Sequence, residues 1–309
     1  MNFKISLLLL ALIGFSCQLS TDHDAGGSDE WNYLIEVDEM KQILDDQNVK
    51  IIDFRKREFY DQGHIEGALH IWRSHLEDTT YAYNGMMPTS NQLEQLFSDL
   101  GIGNDDTIVI YDDDGLCDAA RLWWILDVFN FSKVKMLNGG LKEWKEQGGI
   151  TSQESPIVER SSFKFSNDPS MKHHISMQEF ASLKTENVVI LDTRTVDEYS
   201  GKMQKNGAAK AGRIPNSIHQ DWAYCIDFSK NKKFRSLNVL EAIYAQHNIN
   251  KDDSIIVYCH SGVRSAHTTF VLTQLLGYQN VRNYDGSWTE WSHFSELKFE
   301  ADSVIEETI

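Results

Sequence analysis

The segments of this chain occur twice in the same order. Asp53-Phe54-Arg55, Glu58-Phe59 and Gly63-His64-Ile65-Glu66-Gly67-Ala68 return as Asp192-Thr193-Arg194, Glu198-Tyr199 and Gly212-Arg213-Ile214-Pro215. Ile108-Val109-Ile110-Tyr111 returns as Ile255-Ile256-Val257-Tyr258, and Asn138-Gly139-Gly140-Leu141 with Trp144 returns as Tyr284-Asp285-Gly286-Ser287-Trp288 with Trp291. A duplication of this length restricts the chain to two like units. Within each unit, apolar runs such as residues 49–52 and 188–191 read as strands buried on both faces. They alternate with amphipathic helices such as residues 93–100 and 239–247. That pattern predicts an α/β fold, with a parallel sheet flanked by helices in each unit. The units span residues 31–148 and 172–300, and a tail covers 301–309. Residues 149–171, which contain Pro156, Pro169 and many serines, read as a linker wrapping one domain.

Chemistry concentrates where one strand ends. Residues 255–258 run into Cys259, then His260-Ser261-Gly262-Val263, then Arg264-Ser265 at the start of a helix predicted to continue through Phe270 to Leu276. Amides of residues 260–265 are expected to point into the bowl of this turn, and the helix N-terminus adds partial positive charge. Such a setting favours a thiolate and lowers a cysteine pKa from about 8.5 into the range of about 3.5–7.5. Gly262 supplies the positive φ the turn needs. Arg264, and His260 if protonated, add charge at the rim. The competing reading is an inert buried cysteine closing a core strand. Tyrosine-phosphatase and arsenate-reductase loops share the design but place five residues between Cys and Arg. Here four residues separate Cys259 from Arg264, which suits one extra sulfur atom better than a phosphate.

These motifs resemble those of the two-domain rhodanese-like sulfurtransferases, close to thiosulfate and 3-mercaptopyruvate sulfurtransferases, over roughly residues 31–298. Asp192-Thr193-Arg194 with Glu198-Tyr199 and Gly201, the Gly212-Arg213-Ile214-Pro215 turn, and Tyr284-Asp285-Gly286-Ser287-Trp288 with Trp291 carry the resemblance. Arg213 replaces the usual histidine and Asn216 the usual glycine of that turn. The resemblance implies two tandem rhodanese-like domains, of which the second is catalytic. In the first, Asp112 stands where Cys259 stands, so that domain is expected to be silent and to cover the cleft with Asp78 and Asn84-Gly85-Met86-Met87-Pro88. Mercaptopyruvate enzymes usually carry histidine where Gly85 stands here.

The implied chemistry is sulfur transfer through a persulfide on Cys259, from thiosulfate or a related anionic donor to cyanide or a thiol, without metal or cofactor. His260, Ser261, Gly262, Val263, Arg264 and Ser265 form the persulfide loop. Arg194 is the first candidate for binding the donor, because guanidinium matches oxyanions. Its alternative role is an internal ion pair with Asp192 or Glu198. Arg213, Asp78 and Trp288 are further substrate-binding candidates, and Trp222 could also wall the cleft. Two other function classes stay open: a persulfide carrier without turnover, and a phosphatase or arsenate reductase.

Lys4, the apolar residues 5–15 and Ser16-Cys17 have the form of a secretory signal, residues 1–16, ending at a lipoprotein cysteine. The apolar stretch is too short to span a bilayer. Cys17 is therefore the expected lipid attachment site, with residues 17–30 as a tether and an exported location, periplasmic or at the cell surface. Simple cleavage and secretion is the alternative. A formal charge of −17 argues against nucleic acid as a partner and against a surface that binds anionic lipid by charge, which leaves lipid attachment as the only expected membrane contact. Four cysteines make no disulfide framework, and the histidines lack metal-ligand spacing. Cys225 follows the Gly212-Arg213-Ile214-Pro215 turn, where it reads as a quiet thiol or as a redox partner of Cys259.

Overall fold

The computed structural model describes residues 33–302. The expected signal, Cys17, the tether and all but the first two residues of the tail lie outside the described residues.

The first half contains β1 (Leu34–Ile35), α1 (Val37–Ile43), β2 (Val49–Asp53), α2 (Arg57–Gln62), β3 (His64–Ile65), β4 (Leu69–His70), α3 (Ser90–Asp99), β5 (Thr107–Tyr111), α4 (Cys117–Val128), β6 (Val134–Leu137), α5 (Gly140–Glu146) and β7 (Thr151–Ser152). The second half contains β8 (His174–Ile175), α6 (Met177–Ser182), β9 (Val188–Asp192), α7 (Val196–Ser200), β10 (Ile218–His219), α8 (Leu237–Ala245), β11 (Ser254–Tyr258), α9 (Val263–Phe270), β12 (Asn280–Tyr284) and α10 (Ser287–His293). Each half has one five-stranded parallel sheet, ordered β1-β6-β5-β2-β4 and β8-β12-β11-β9-β10. The register repeats as well: Asp53 pairs with Tyr111 in the first sheet, and Asp192 with Tyr258 in the second.

Central strands β5 and β11 are buried beyond their first residue because helices cover both faces of each sheet. On the outer faces, Met40, Leu141 and Trp144 pack beneath the first sheet, while Phe180, Trp288 and Trp291 pack beneath the second. The inner faces share one core in which α4 meets α9, with the Trp123 and Phe270 rings edge to face at 4.8 Å. Burying each such side chain contributes about 1.5–3 kcal/mol. The shared core fixes the two halves together, so their facing loops form one cleft.

Three helices depart from the sequence expectation, α8 by spanning Leu237–Ala245 where 239–247 was expected. Helix α3 starts before residue 93 because Thr89 and Gln92 make a reciprocal capping box. The helix after the Cys259 loop widens into a π-helical turn at Val271–Leu275. The segment read as a linker wrapping one domain lies on the first: β7 pairs antiparallel with β3, and Phe163 is buried against Phe97.

Candidate active site

Strand β11 delivers Cys259 to the sheet's C-terminal edge, and α9 begins four residues later. Gly262 forms the corner with φ +75°; a Cβ there would lie 2.6 Å from Arg121 Nη1 and from the Asp285 carbonyl. Ser287, at the head of α10, holds the loop from beneath. Its Oγ accepts from the amides of Cys259 and Gly262, each at 3.1 Å, and donates to the Tyr284 carbonyl at 2.7 Å. The Trp288 and Thr289 amides donate to the carbonyls of Cys259 and His260. Not every loop amide therefore faces the sulfur as the sequence reading expected, because the Gly262 N–H turns away to Ser287. Replacing Ser287 with alanine strands two buried amides. Ser287→Ala is expected to cost about 3 kcal/mol, read as a lowered melting temperature, and to slow reaction at Cys259.

Cys259 is 1% exposed. Burial opposes ionisation, but the Arg264 charge, the Ser265 hydroxyl and amide, and the Ser261 amide outweigh it and lower the thiol to about 7. The group is thus half thiolate near neutrality. Alkylation of Cys259 is expected to rise with pH around a midpoint of about 7. A midpoint near 9 in a pH series of iodoacetamide rates, about that of an ordinary thiol, would contradict this geometry. His260 is not a cation at the rim: burial and nearby Lys205 lower it to about 4, and its Nε2 donates to the Asn206 carbonyl at 2.9 Å.

The same bowl exists in the first half, already filled. Asp112 sits at the position of Cys259, and its carboxylate accepts amides from Asp114, Leu116, Asp118 and Ala119 at 2.9–3.1 Å. Gly115, with φ +70°, repeats Gly262. The loop design thus turns its amides onto an acid at its centre; burial and the Asp118 charge outweigh those amides and push the Asp112 carboxyl up to about 7. Cys117 aligns with Arg264, is buried, and burial pushes its thiol well above the ordinary range.

Between the halves lies a cleft of about 420 Å³ whose walls include Arg73, Tyr83, Gly85 and Arg121 from the first domain and Asn206, His260 and Ser261 from the second. Gly85 sits against Ser261; a Cβ at residue 85 would come within 2.7 Å of the Ser261 Cβ. The first-domain loop is tied across by Met87 N–H to Asp285 (2.8 Å) and by the Tyr83 hydroxyl to Glu290 (2.7 Å).

The family model for the rhodanese-like domain matches residues 36–147 and 176–294. The chain belongs to the rhodanese-like family. Among its relatives are "Putative thiosulfate sulfurtransferase" of Mycobacterium leprae, 32% identical over 87% of this chain and 98% of the relative, and "Sulfur carrier protein TtuD" of Thermus thermophilus, 31% identical over 84% and 93%. The structure of the anaerobic ergothioneine biosynthesis enzyme from Chlorobium limicola has the same fold, with TM-score 0.77, 24% identity, and coverage of 89% of this chain and 71% of that one.

Within this rhodanese-like pair, the expected substrate contacts fall elsewhere. Arg194 is 1% exposed; its Nε and Nη2 bind Asp192, Nη2 also binds the Gly212 carbonyl at 2.8 Å, and its guanidinium lies over Trp288 and Tyr258. Arg55 repeats this arrangement with Asp53 and the Gly63 carbonyl, so both arginines brace their domains. Arg213 pairs with Asp302 at 2.8 Å and with Glu300, and pins the C-terminal segment. Trp288 is in the outer core with its Nε1 bound to the Lys210 carbonyl, and Trp222 packs on His267 and Phe228. Asp78 lines a separate cavity behind the first-domain loop. Arg264 gives Nη1 and Nη2 to Glu198 at 2.7 and 2.9 Å; burial opposes the Glu198 charge, but Arg264 holds that carboxyl at about 2. Cys225 is fully buried with Sγ 3.4 Å from the Tyr244 hydroxyl, and burial pushes it up to about 12, which makes it a protonated core thiol. Arg73 and Arg121 escaped the sequence reading because no local motif marks a side chain that reaches a site from the other domain.

Proposed function

We propose that this protein is a sulfurtransferase that carries a sulfane sulfur on Cys259. The observation that carries the reading is a buried thiol lowered to about 7 inside a loop whose first-domain twin turns four amides onto the oxygens of an acidic side chain. The Cys259 thiolate attacks the outer sulfur of thiosulfate. A new S–S bond forms, the bond to the sulfonate sulfur breaks, and sulfite leaves with that bonding pair. Loop amides and Arg264 stabilise the anionic persulfide. Cyanide or a thiolate then attacks the terminal sulfur, and the electrons of the S–S bond return to Cys259. The relatives named for thiosulfate sulfur transfer support this reading.

The relative named as a sulfur carrier supports a second reading, in which the persulfide waits for a protein acceptor. Incubation with thiosulfate and cyanide separates the two. Repeated thiocyanate formation supports the enzyme, whereas one equivalent per Cys259 supports the carrier. Absence of an added sulfur mass on the Cys259 peptide, or release of phosphate from an aryl phosphate instead, would defeat both.

A further inference from the structure

Three arginines line or border the cleft, and two have their guanidinium ends engaged. Arg264 binds Glu198 through Nη1 and Nη2. Arg121 is 4% exposed; its Nη1 meets Asp285 at 2.7 Å and the Gly262 carbonyl at 3.4 Å, while its Nη2 meets the Gly85 carbonyl at 2.8 Å. Arg73 is different. Its Nε is held by Asp118 Oδ1, its Cζ lies 5.3 Å from the Trp72 ring centroid, and among the described residues its two terminal nitrogens have no partner. The side chain is 39% exposed and lines the cleft beside Gly85, His260 and Ser261. Its charge is felt at Cys259.

A guanidinium anchored along one edge and open along the other offers parallel N–H donors matched to two oxygens of a sulfonate or carboxylate. The anchor limits the rotamer freedom lost when an anion binds. A local cation is also needed because the whole chain carries −17. Lys205 is the rival. It is exposed, makes no ion pair among the described residues, and its charge also reaches Cys259, but as a single ammonium beside Arg264 it has no fork.

We propose that Arg73, contributed by the domain that lacks the cysteine, binds the oxyanion end of the sulfur donor and selects anionic donors over neutral ones. This rests on the sulfurtransferase reading for its substrate, yet the anion site can be tested without sulfur transfer. The probe is alkylation of Cys259 at pH 9, where the thiolate is largely formed, with anionic iodoacetate and neutral iodoacetamide, followed by mass analysis of the Cys259 peptide.

Arg73→Gln is expected to lower the ratio of iodoacetate to iodoacetamide rates about tenfold, with the iodoacetamide rate within about twofold of the parent. In thiosulfate turnover the same variant should raise KM about tenfold with little change in kcat. A purely structural role would slow both reagents together and overturn the proposal. An unchanged ratio overturns it even where thiocyanate is still formed, and absent turnover with a changed ratio defeats the transferase reading alone. Should Arg73→Gln fail to fold, Arg73→Lys keeps a charge for Asp118 but loses the fork. A fall of about threefold is then expected, and no change overturns the assignment. A tenfold fall in Lys205→Gln with none in the Arg73 variants assigns the site to Lys205 instead.

Discussion

Cys259→Ala is expected to abolish thiocyanate formation from thiosulfate and cyanide, a loss of at least about a thousandfold, because no other cysteine among the described residues is reactive. Cys117 and Cys225 are both buried, and burial raises both thiols. The fold should survive. Removing one buried sulfur costs about 1 kcal/mol, and for a chain of this size that lowers the melting temperature by roughly 2–4 °C. The loop geometry does not depend on the sulfur, since Ser287, Trp288 and Thr289 hold its backbone. Thiocyanate production by a correctly folded Cys259→Ala protein, measured by its iron complex and corrected for the uncatalysed reaction, would remove Cys259 from the mechanism.

Arg264→Gln should affect both stability and chemistry. Glu198 is 3% exposed, and its carboxylate keeps no second arginine within ion-pair distance among the described residues once the Arg264 fork is gone. Breaking a buried pair from one side costs about 3 kcal/mol, roughly 6–12 °C in melting temperature. The sign of the pH dependence follows from Glu198. Its folded pKa is depressed to about 2, so the stability it contributes is present above pH 4.5 and is lost as pH falls toward 2. The gap in stability between parent and variant should therefore narrow below about pH 4.5. Chemically, Arg264 is the foremost group lowering Cys259, so the thiol should move up toward the ordinary range and reaction at pH 7 should slow roughly tenfold. An alkylation midpoint still near 7 in this variant would show that the loop amides alone hold the thiolate.

Much of the architecture was legible because it is written locally. The repeated Asp-x-Arg, the apolar runs and the strand-to-helix cysteine turn are contiguous, and contiguous patterns report on strands, helices and loops. The tandem domains, the parallel sheets and the cysteine loop followed from them. Arg194 shows where that reasoning stops. Its substrate role was argued from guanidinium chemistry, but the carbonyl of Gly212 and the ring of Trp288 come from distant parts of the chain and leave it 1% exposed. The alternative read beside it, an internal ion pair with Asp192, is the one the fold makes, and Arg55 repeats it in a domain without the cysteine. Arg213 failed for a similar reason, being drawn to Glu300 and Asp302 by the path of the C-terminal segment. Residues 149–171 read as wrapping one domain, but which domain, and the pairing of β7 with β3, was hidden because β7 is only two residues long.

From the string of residues alone came the duplication, the sheet class, the cysteine at the strand end and the narrow turn that holds it, since each depends on neighbours in sequence and on backbone conformation. Tertiary packing decided which cations reach the sulfur: it paired Arg264 with Glu198, sealed Arg194 and Arg121, and left Arg73 with terminal nitrogens that have no partner among the described residues. Charge acts through space. Whether a side chain binds a ligand or a neighbour depends on what long-range folding has placed within about 4 Å of it.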